Sequence, residues 1–302
     1  GYAFRTGSWS QTDFNFEKPT LNLTAKTSTI IQLDTIDKYE IYDYPGKYAK
    51  KDDGERLTKI RMEQEEAVHD TVMASSTCRT FHPGGKFTVK KHPARDEEGK
   101  SYVITSIDHS FGLAGSYQTG AGEPSLDYGN NFTCIPESVT FRPARITPRP
   151  VVQGAQTAVV VGPDGEEIYT DEYGRMKVKF HWDRSGKKDG TSSCWVRVSQ
   201  SWAGKGWGVL FLPRIGQEVV VTFLEGDPDR PLITGSVYNA EGMPPNELPA
   251  NKTISTVKSN SSPGSGGFNE IRLEDKKGEE KIFIHGEKDL DLRVKNDSVG
   301  WI

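Results

Sequence analysis

Along the first part of the chain, apolar and polar residues alternate in short runs: Leu21-Asn22-Leu23-Thr24, Lys86-Phe87-Thr88-Val89 and Tyr102-Val103-Ile104-Thr105. A two-residue period puts one set of side chains on one face of an extended chain, so each run predicts a half-buried strand. Between the first two runs, Leu57, Ile60, Gln64, Val68 and Val72 recur at helical spacing. They predict one helix over Glu55–Ser75, preceded by Gly54 and free of internal Pro or Gly.

The stretch 153–240 is denser in strands. Thr157–Val161, Met176–Trp182, Trp195–Val198, Val209–Leu212, Glu218–Leu224 and Leu232–Tyr238 all read as extended. Turn residues separate them at Pro163-Asp164-Gly165, Asp183-Arg184-Ser185-Gly186, Gly204-Lys205-Gly206 and Gly226-Asp227-Pro228-Asp229. Short strands at this density predict a small closed or nearly closed barrel, of which the OB-fold is a common form.

Two segments break the pattern. Phe141 to Pro150 carries three prolines in ten residues, which excludes a central strand or a helix. We read 1–142 as a β-rich domain with one helix and 143–152 as a stiff connector. Residues 241–268 are rich in Pro, Asn, Ser and Gly and read as a linker.

Alternation resumes in 269–302. Ile271 and Leu273, then Ile282 and Ile284 on either side of Phe283, then Leu290, Leu292 and Val294 recur at every second residue among charged neighbours, with turns at Lys277-Gly278 and Gly286-Glu287. The pattern predicts three short strands, each with one apolar edge. A meander of this size has no core of its own, and it exposes both sheet edges and its apolar face. Disorder, docking on the chain's own barrel, or intertwining with identical tails would resolve this. Regular alternation speaks against disorder, and a flexible linker speaks against docking. The expectation is that identical tails intertwine and turn these seven residues toward a shared axis.

Composition narrows the function classes. The chain has 302 residues, 34% hydrophobic, with 38 basic and 42 acidic residues and a net charge of −4. Such a balance gives no single-sign field, so total charge favours neither a nucleic-acid nor a membrane partner. Cys78, Cys134 and Cys194 are odd in number and widely spaced, which suits free thiols rather than a disulfide framework. No apolar run approaches the roughly 18 residues of a membrane helix. Gly1-Tyr2-Ala3-Phe4-Arg5 lacks the layout of a signal peptide.

Candidate chemistry is sparse. Glu225, Asp227 and Asp229 cluster as cation ligands do, but without a calcium-loop pattern they read as a tight turn. Cys78 and His82 lie four apart with His92 beyond, too few and too scattered for zinc. Gly204, Gly206 and Gly208 lead into no phosphate-binding pattern. We therefore expect no catalytic residue, no cofactor and no metal. One binding alternative is a single-stranded nucleic-acid surface on the barrel, where Lys177, Lys179, His181 and Arg197 lie near Trp182 and Trp195. Against it, Trp182 shares a strand face with Met176, Val178 and Phe180, which predicts a core tryptophan.

Several strings are more specific. Glu166-Glu167-Ile168-Tyr169-Thr170-Asp171-Glu172-Tyr173-Gly174-Arg175 leads into Phe180-His181-Trp182-Asp183-Arg184 and then Ser193-Cys194-Trp195-Val196-Arg197-Val198. Pro213-Arg214-Ile215-Gly216-Gln217-Glu218-Val219 and Glu225-Gly226-Asp227-Pro228-Asp229-Arg230-Pro231 follow. This order closely resembles the VgrG family, the trimeric spike proteins of bacterial type VI secretion, related to the hub and spike of contractile phage tails. Asp43-Tyr44-Pro45-Gly46 and His82-Pro83-Gly84 with Phe87 resemble the family's hub. Asn269-Glu270-Ile271-Arg272 and Glu287-Lys288-Asp289-Leu290-Asp291 resemble the entry to its β-stem.

The resemblance implies a mainly β chain: part of a hub (1–142), an OB-fold neck (153–240) and the start of a trimeric β-helix or β-prism stem (269–302). It implies a homotrimer seated on the ring-stacked Hcp tube, a PAAR-type tip protein on the stem of the full-length parent, and effector cargo. Such a spike waits in the bacterial cytoplasm, is driven through a target membrane and is secreted without a signal peptide. The chain is expected to begin inside the hub and to end early in the stem. The phage spike carries a lysozyme domain between barrel and stem, whereas the 241–268 stretch is shorter than the roughly 50 residues of a small domain.

Overall fold

The alternating runs become strands, though not always at the expected residues. A computed structural model describes residues 1–114, 125–264 and 266–302; Ser265, within the expected linker, lies outside them. They form two compact units, Gly1–Thr147 and Pro148–Ile302.

In the first unit, β1 (Ser8–Gln11) lies between β2 (Ala25–Ser28), which is antiparallel to it, and β3 (Glu40–Asp43), which is parallel. Leu21–Thr24, expected as a strand, lies just before β2. Leu23 is buried there, and its carbonyl accepts a hydrogen bond from the Tyr48 hydroxyl at 2.7 Å instead of joining a ladder. The same hydroxyl lies 2.9 Å from the Gln11 carbonyl, so its one proton is shared between the two oxygens.

One helix, α1 (Lys51–Glu66), packs on β1 and β2. It starts earlier and ends sooner than its apolar spacing predicts. Val68 falls in the turn that follows it, and Val72 opens the next strand. Its buried stripe is Gly54, Thr58, Met62 and Glu66, not the expected Leu57, Ile60, Gln64 and Val68. The reason is a hydrogen-bonded interface. Thr27 and Thr58 pair through their hydroxyls at 2.9 Å. The Glu66 carboxylate accepts from the Thr29 hydroxyl at 2.8 Å and from the Ile30 amide at 2.7 Å. Gly54 is required by the Tyr48 ring, which a β-carbon there would approach to 2.5 Å.

A second sheet of the same unit runs in the order β4 (Val72–Ser76), β7 (Ser125–Pro136), β6 (Ser101–Ala114), β5 (Lys86–Thr88). Tyr102, Ile104, Phe132 and Cys134 form its core, joined by Phe81 and Phe87. Phe81 and Phe87 both meet the Phe132 ring edge-on, at centroid distances of 5.4 and 5.6 Å. Burial pushes the Cys134 thiol up to about 11, which marks a packing residue rather than a nucleophile. The His82-Pro83-Gly84 turn docks on β6, with the Gly84 amide donating to the Ile104 carbonyl at 2.8 Å.

The second unit opens with a five-stranded sheet in the order β10 (Arg197–Val198), β12 (Pro231–Ser236), β11 (Glu218–Phe223), β8 (Gln156–Val161), β9 (Lys177–Phe180). Its two ends meet through Met176 and Val196, which exchange both backbone hydrogen bonds at 2.8 Å and so close a barrel. Ala158, Val160, Met176, Val178, Val196, Val219, Val221 and Ile233 fill it, each 0–1% exposed.

Two expectations fail in the barrel. Val209–Leu212 forms no strand, because the preceding chain folds back as a tight loop with Ala203 bridged to Gly208, and the Gln200 side chain takes the Phe211 backbone bonds a neighbouring strand would need. Trp182 is not core. β9 ends at Phe180, the chain turns, and the indole stacks on the outside of the Phe180 ring at 5.1 Å.

Candidate assembly surface

The end of the chain builds a three-stranded antiparallel sheet from β13 (Ile254–Lys258), β14 (Glu270–Glu274) and β15 (Lys281–His285). Gly278, at a φ of 86°, makes the turn between β14 and β15 that other residues disfavour. β13 lies inside the stretch read as linker. Its sequence, Ile254-Ser255-Thr256-Val257, does not alternate, because Ile254 and Val257 fall on opposite faces.

Register decides which side chains share a face. Val257, Ile271 and Ile284 form one cross-strand row, and Ser255, Leu273 and Ile282 form the next. The resulting apolar face is in water, with Ile271 55%, Ile282 71% and Ile284 59% exposed.

The opposite face is mostly polar and partly buried. Glu270 is 4% exposed and accepts a hydrogen bond from the Thr256 hydroxyl at 2.8 Å. The Arg272 guanidinium lies over the Phe283 ring at 4.6 Å and the Lys258 ammonium over Phe268 at 4.0 Å. At the edge, the Thr253 hydroxyl and the Lys276 amide hold the Glu274 carboxyl below the usual carboxylate range. The sheet thus buries Glu270 and half-buries Arg272 and Glu274 while it exposes its aliphatic side chains, the reverse of what a finished surface does.

Four of the seven predicted residues, Ile271, Leu273, Ile282 and Ile284, are therefore gathered on one face. Leu290, Leu292 and Val294 are not on it, since residues 286–294 follow the sheet outside any strand, and all three are exposed. Val257 belongs to the apolar face and was missed with its strand.

The root of this sheet is tied to the barrel. The Glu167 carboxylate accepts from the Gly264 amide at 2.5 Å and lies 3.9 Å from the Arg214 guanidinium. Arg214 donates to the Asn260 carbonyl at 2.7 Å. The segment expected as a loose linker is thus hydrogen-bonded to the barrel along 260–264.

The other candidate sites do not assemble. Among the described residues, no group of three or more His, Cys, Asp or Glu side chains is placed to hold a metal ion. Asp227 caps its own turn, accepting from the Asp229 amide at 3.1 Å. The basic residues of the nucleic-acid alternative are engaged locally. Lys177 donates to the Ser193 carbonyl at 2.8 Å and lies over the Trp195 ring, and Lys179 binds Asp183 at 3.2 Å and the Lys187 carbonyl at 2.7 Å.

Comparison with known families places each part. Residues 2–114 match the phage tail baseplate hub family, 156–238 the type VI secretion system/phage-baseplate injector OB domain, and 255–302 the bacteriophage T4 gp5 C-terminal trimerisation domain. The type VI secretion system spike protein VgrG1b of Pseudomonas aeruginosa is 46% identical over 300 residues, which span 99% of this chain and 40% of that protein. The chain belongs to the VgrG family. A protein named actin cross-linking toxin VgrG1, from Vibrio cholerae, is 39% identical over 94% of this chain and 26% of its own length. A solved structure of the E. coli c3393 protein is described as a component of the type VI secretion system with structural similarity to the T4 bacteriophage tail proteins gp27 and gp5. It is 28% identical with a TM-score of 0.44, over 63% of this chain and 44% of that one.

Family membership settles two matters left open by sequence. The fold is mainly β, with hub, OB-fold and stem parts in that order. The barrel is the type VI secretion system/phage-baseplate injector kind of OB domain. The trimerisation match begins at residue 255, within β13, one strand earlier than the stem expected from the alternation.

Proposed function

We propose that the chain is the hub–neck–stem portion of a type VI secretion spike and that it works as a trimer whose stems share their apolar faces. The observation that carries this reading is the inverted stem sheet, with aliphatic residues outward and Glu270 buried on the opposite face. The match of 255–302 to a trimerisation domain supports it. Three stems around one axis would bury Val257, Ile271, Leu273, Ile282 and Ile284 at once, each worth about 1.5–3 kcal/mol when fully removed from water.

The finer parts of the reading follow from the family. The hub, within 1–142, would sit on the Hcp tube ring, and the barrel, within 153–240, would form the neck. The stem would run toward a PAAR-type tip protein, with effectors carried on the assembly. The spike would leave the bacterial cytoplasm when fired, pierce a target membrane and need no signal peptide. We give this chain no catalytic step. The toxin relative shares only 26% of its length with it, so that name does not carry over.

Light scattering on the purified chain tests the reading directly. A trimer is expected, and Ile282→Asp with Ile284→Asp should abolish it while the barrel still melts as before, because six carboxylates would otherwise meet near one axis. A monomer whose β14 and β15 amides are protected from exchange would sink the proposal.

A further inference from the structure

A groove of about 830 Å³ runs between barrel and stem. Ile168, Leu210, Phe211, Tyr238, Met243 and Phe268 supply its apolar lining. Leu210, Phe211, Tyr238 and Met243 are each more than 60% exposed, an unusual density of large apolar groups in water. It is also continuous with the stem face. Val257 lines the groove and begins the outward row Val257–Ile271–Ile284.

The chain carries a segment that suits the groove and leaves it unfilled. Glu287 is tied to the groove's end, its carboxylate accepting from the Phe268 amide at 3.1 Å and its amide donating to Asn269 at 2.9 Å. From there Leu290, Leu292 and Val294 run on at 69, 84 and 48% exposure, outside their own chain's groove. Rotational assembly joins different surfaces of neighbouring copies. In a three-fold ring, the β15 side of one sheet meets the β13 side of the next, and the groove lies beside β13.

Resting on the trimer reading, we propose that each groove seats the Leu290–Val294 segment of a second copy of this chain. The interface then extends from the stem onto the barrel. It gives the third apolar cluster, unpaired in one copy, a site on its neighbour.

Two chains, one with Met243→Cys and one with Leu292→Cys, are co-expressed with different tags in a background of Cys78→Ser and Cys194→Ser. A short bis-maleimide is expected to join them into a covalent heterodimer. In a separate arm, Phe211→Ser with Met243→Ser should raise the concentration needed for assembly at least about ten-fold, with the fold kept by circular dichroism. A trimer that yields no heterodimer and tolerates the serines overturns the groove assignment and leaves the trimer reading standing. Cross-linking confined to a doubly substituted single chain also overturns it, because the segment then fills its own groove. A monomeric parent chain removes both readings.

Discussion

The barrel and the stem are written in the same two-letter pattern and end in opposite states. In the barrel, Met176 and Val178 alternate with Lys177 and Lys179 and are 0% exposed, because the sheet curls until its inner face meets itself. In the stem, Ile271 and Leu273 alternate as regularly with Glu270, Arg272 and Glu274 and lie in water, because a three-stranded sheet cannot close. Alternation therefore states that a face will be covered. It does not state by what. In the barrel the covering layer is local sequence; in the stem, on our proposal, it is another copy.

The sharpest way to break that comparison is to shorten one residue of each face. Met176→Ala in the barrel should cost about 2–5 kcal/mol at any protein concentration, read as a drop in melting temperature. Leu273→Ala should change the stability of an isolated copy by less than about 0.5 kcal/mol and destabilise only the assembled form. If Leu273→Ala costs as much in dilute monomer as Met176→Ala does, the stem face is covered within one chain and the contrast disappears.

How much of this is legible in the sequence depends on whether burial is apolar. The barrel strands at 156–161, 218–223 and 231–236 are legible to within a residue or two, because each is a short run rich in β-branched residues bounded by turn residues. The helix is mis-set by its apolar spacing, because its buried stripe includes Thr58 and Glu66, held by hydrogen bonds that leave no hydropathy signal. Strand β13 escapes notice because Ile254 sits on the covered polar face and breaks the alternation. Trp182 is misjudged because period reasoning continues past the residue where a strand stops. Alternation alone is enough to gather four of the stem residues on one face. It cannot reveal the groove, since the lining comes from segments as far apart as Ile168 and Phe268.

A smaller effect sharpens the contrast between the two faces of the stem itself. Phe283 lies on the covered face, between the Arg272 guanidinium at 4.6 Å and the His285 ring at 6.0 Å. Those partners belong to its own copy. Phe283→Ala should therefore cost about 1 kcal/mol whether or not the chain assembles, speeding exchange of the β14 and β15 amides roughly five-fold. Exchange that changes only in the assembled form would place Phe283 at the interface and reverse the assignment of faces.

The smallest effect concerns the joint between the two regions. The Gly264 amide, and after it the Ser262 hydroxyl and the Arg214 guanidinium, hold the Glu167 carboxyl below its usual range. A carboxyl depressed in the folded state binds protons more weakly there than in the unfolded chain. Its contribution is complete above the ordinary glutamate value of about 4.3 and fades as pH falls through the lower folded value. Hydrogen exchange of the 259–268 segment, corrected for intrinsic rates, should accelerate below about pH 4 while barrel amides such as those of β11 stay protected. Glu167→Gln should show the accelerated rate already at pH 7 and flatten the pH dependence. If the variant exchanges like the parent at pH 7, the stem is positioned by packing alone, and the polar clamp has no part in joining the closed sheet to the open one.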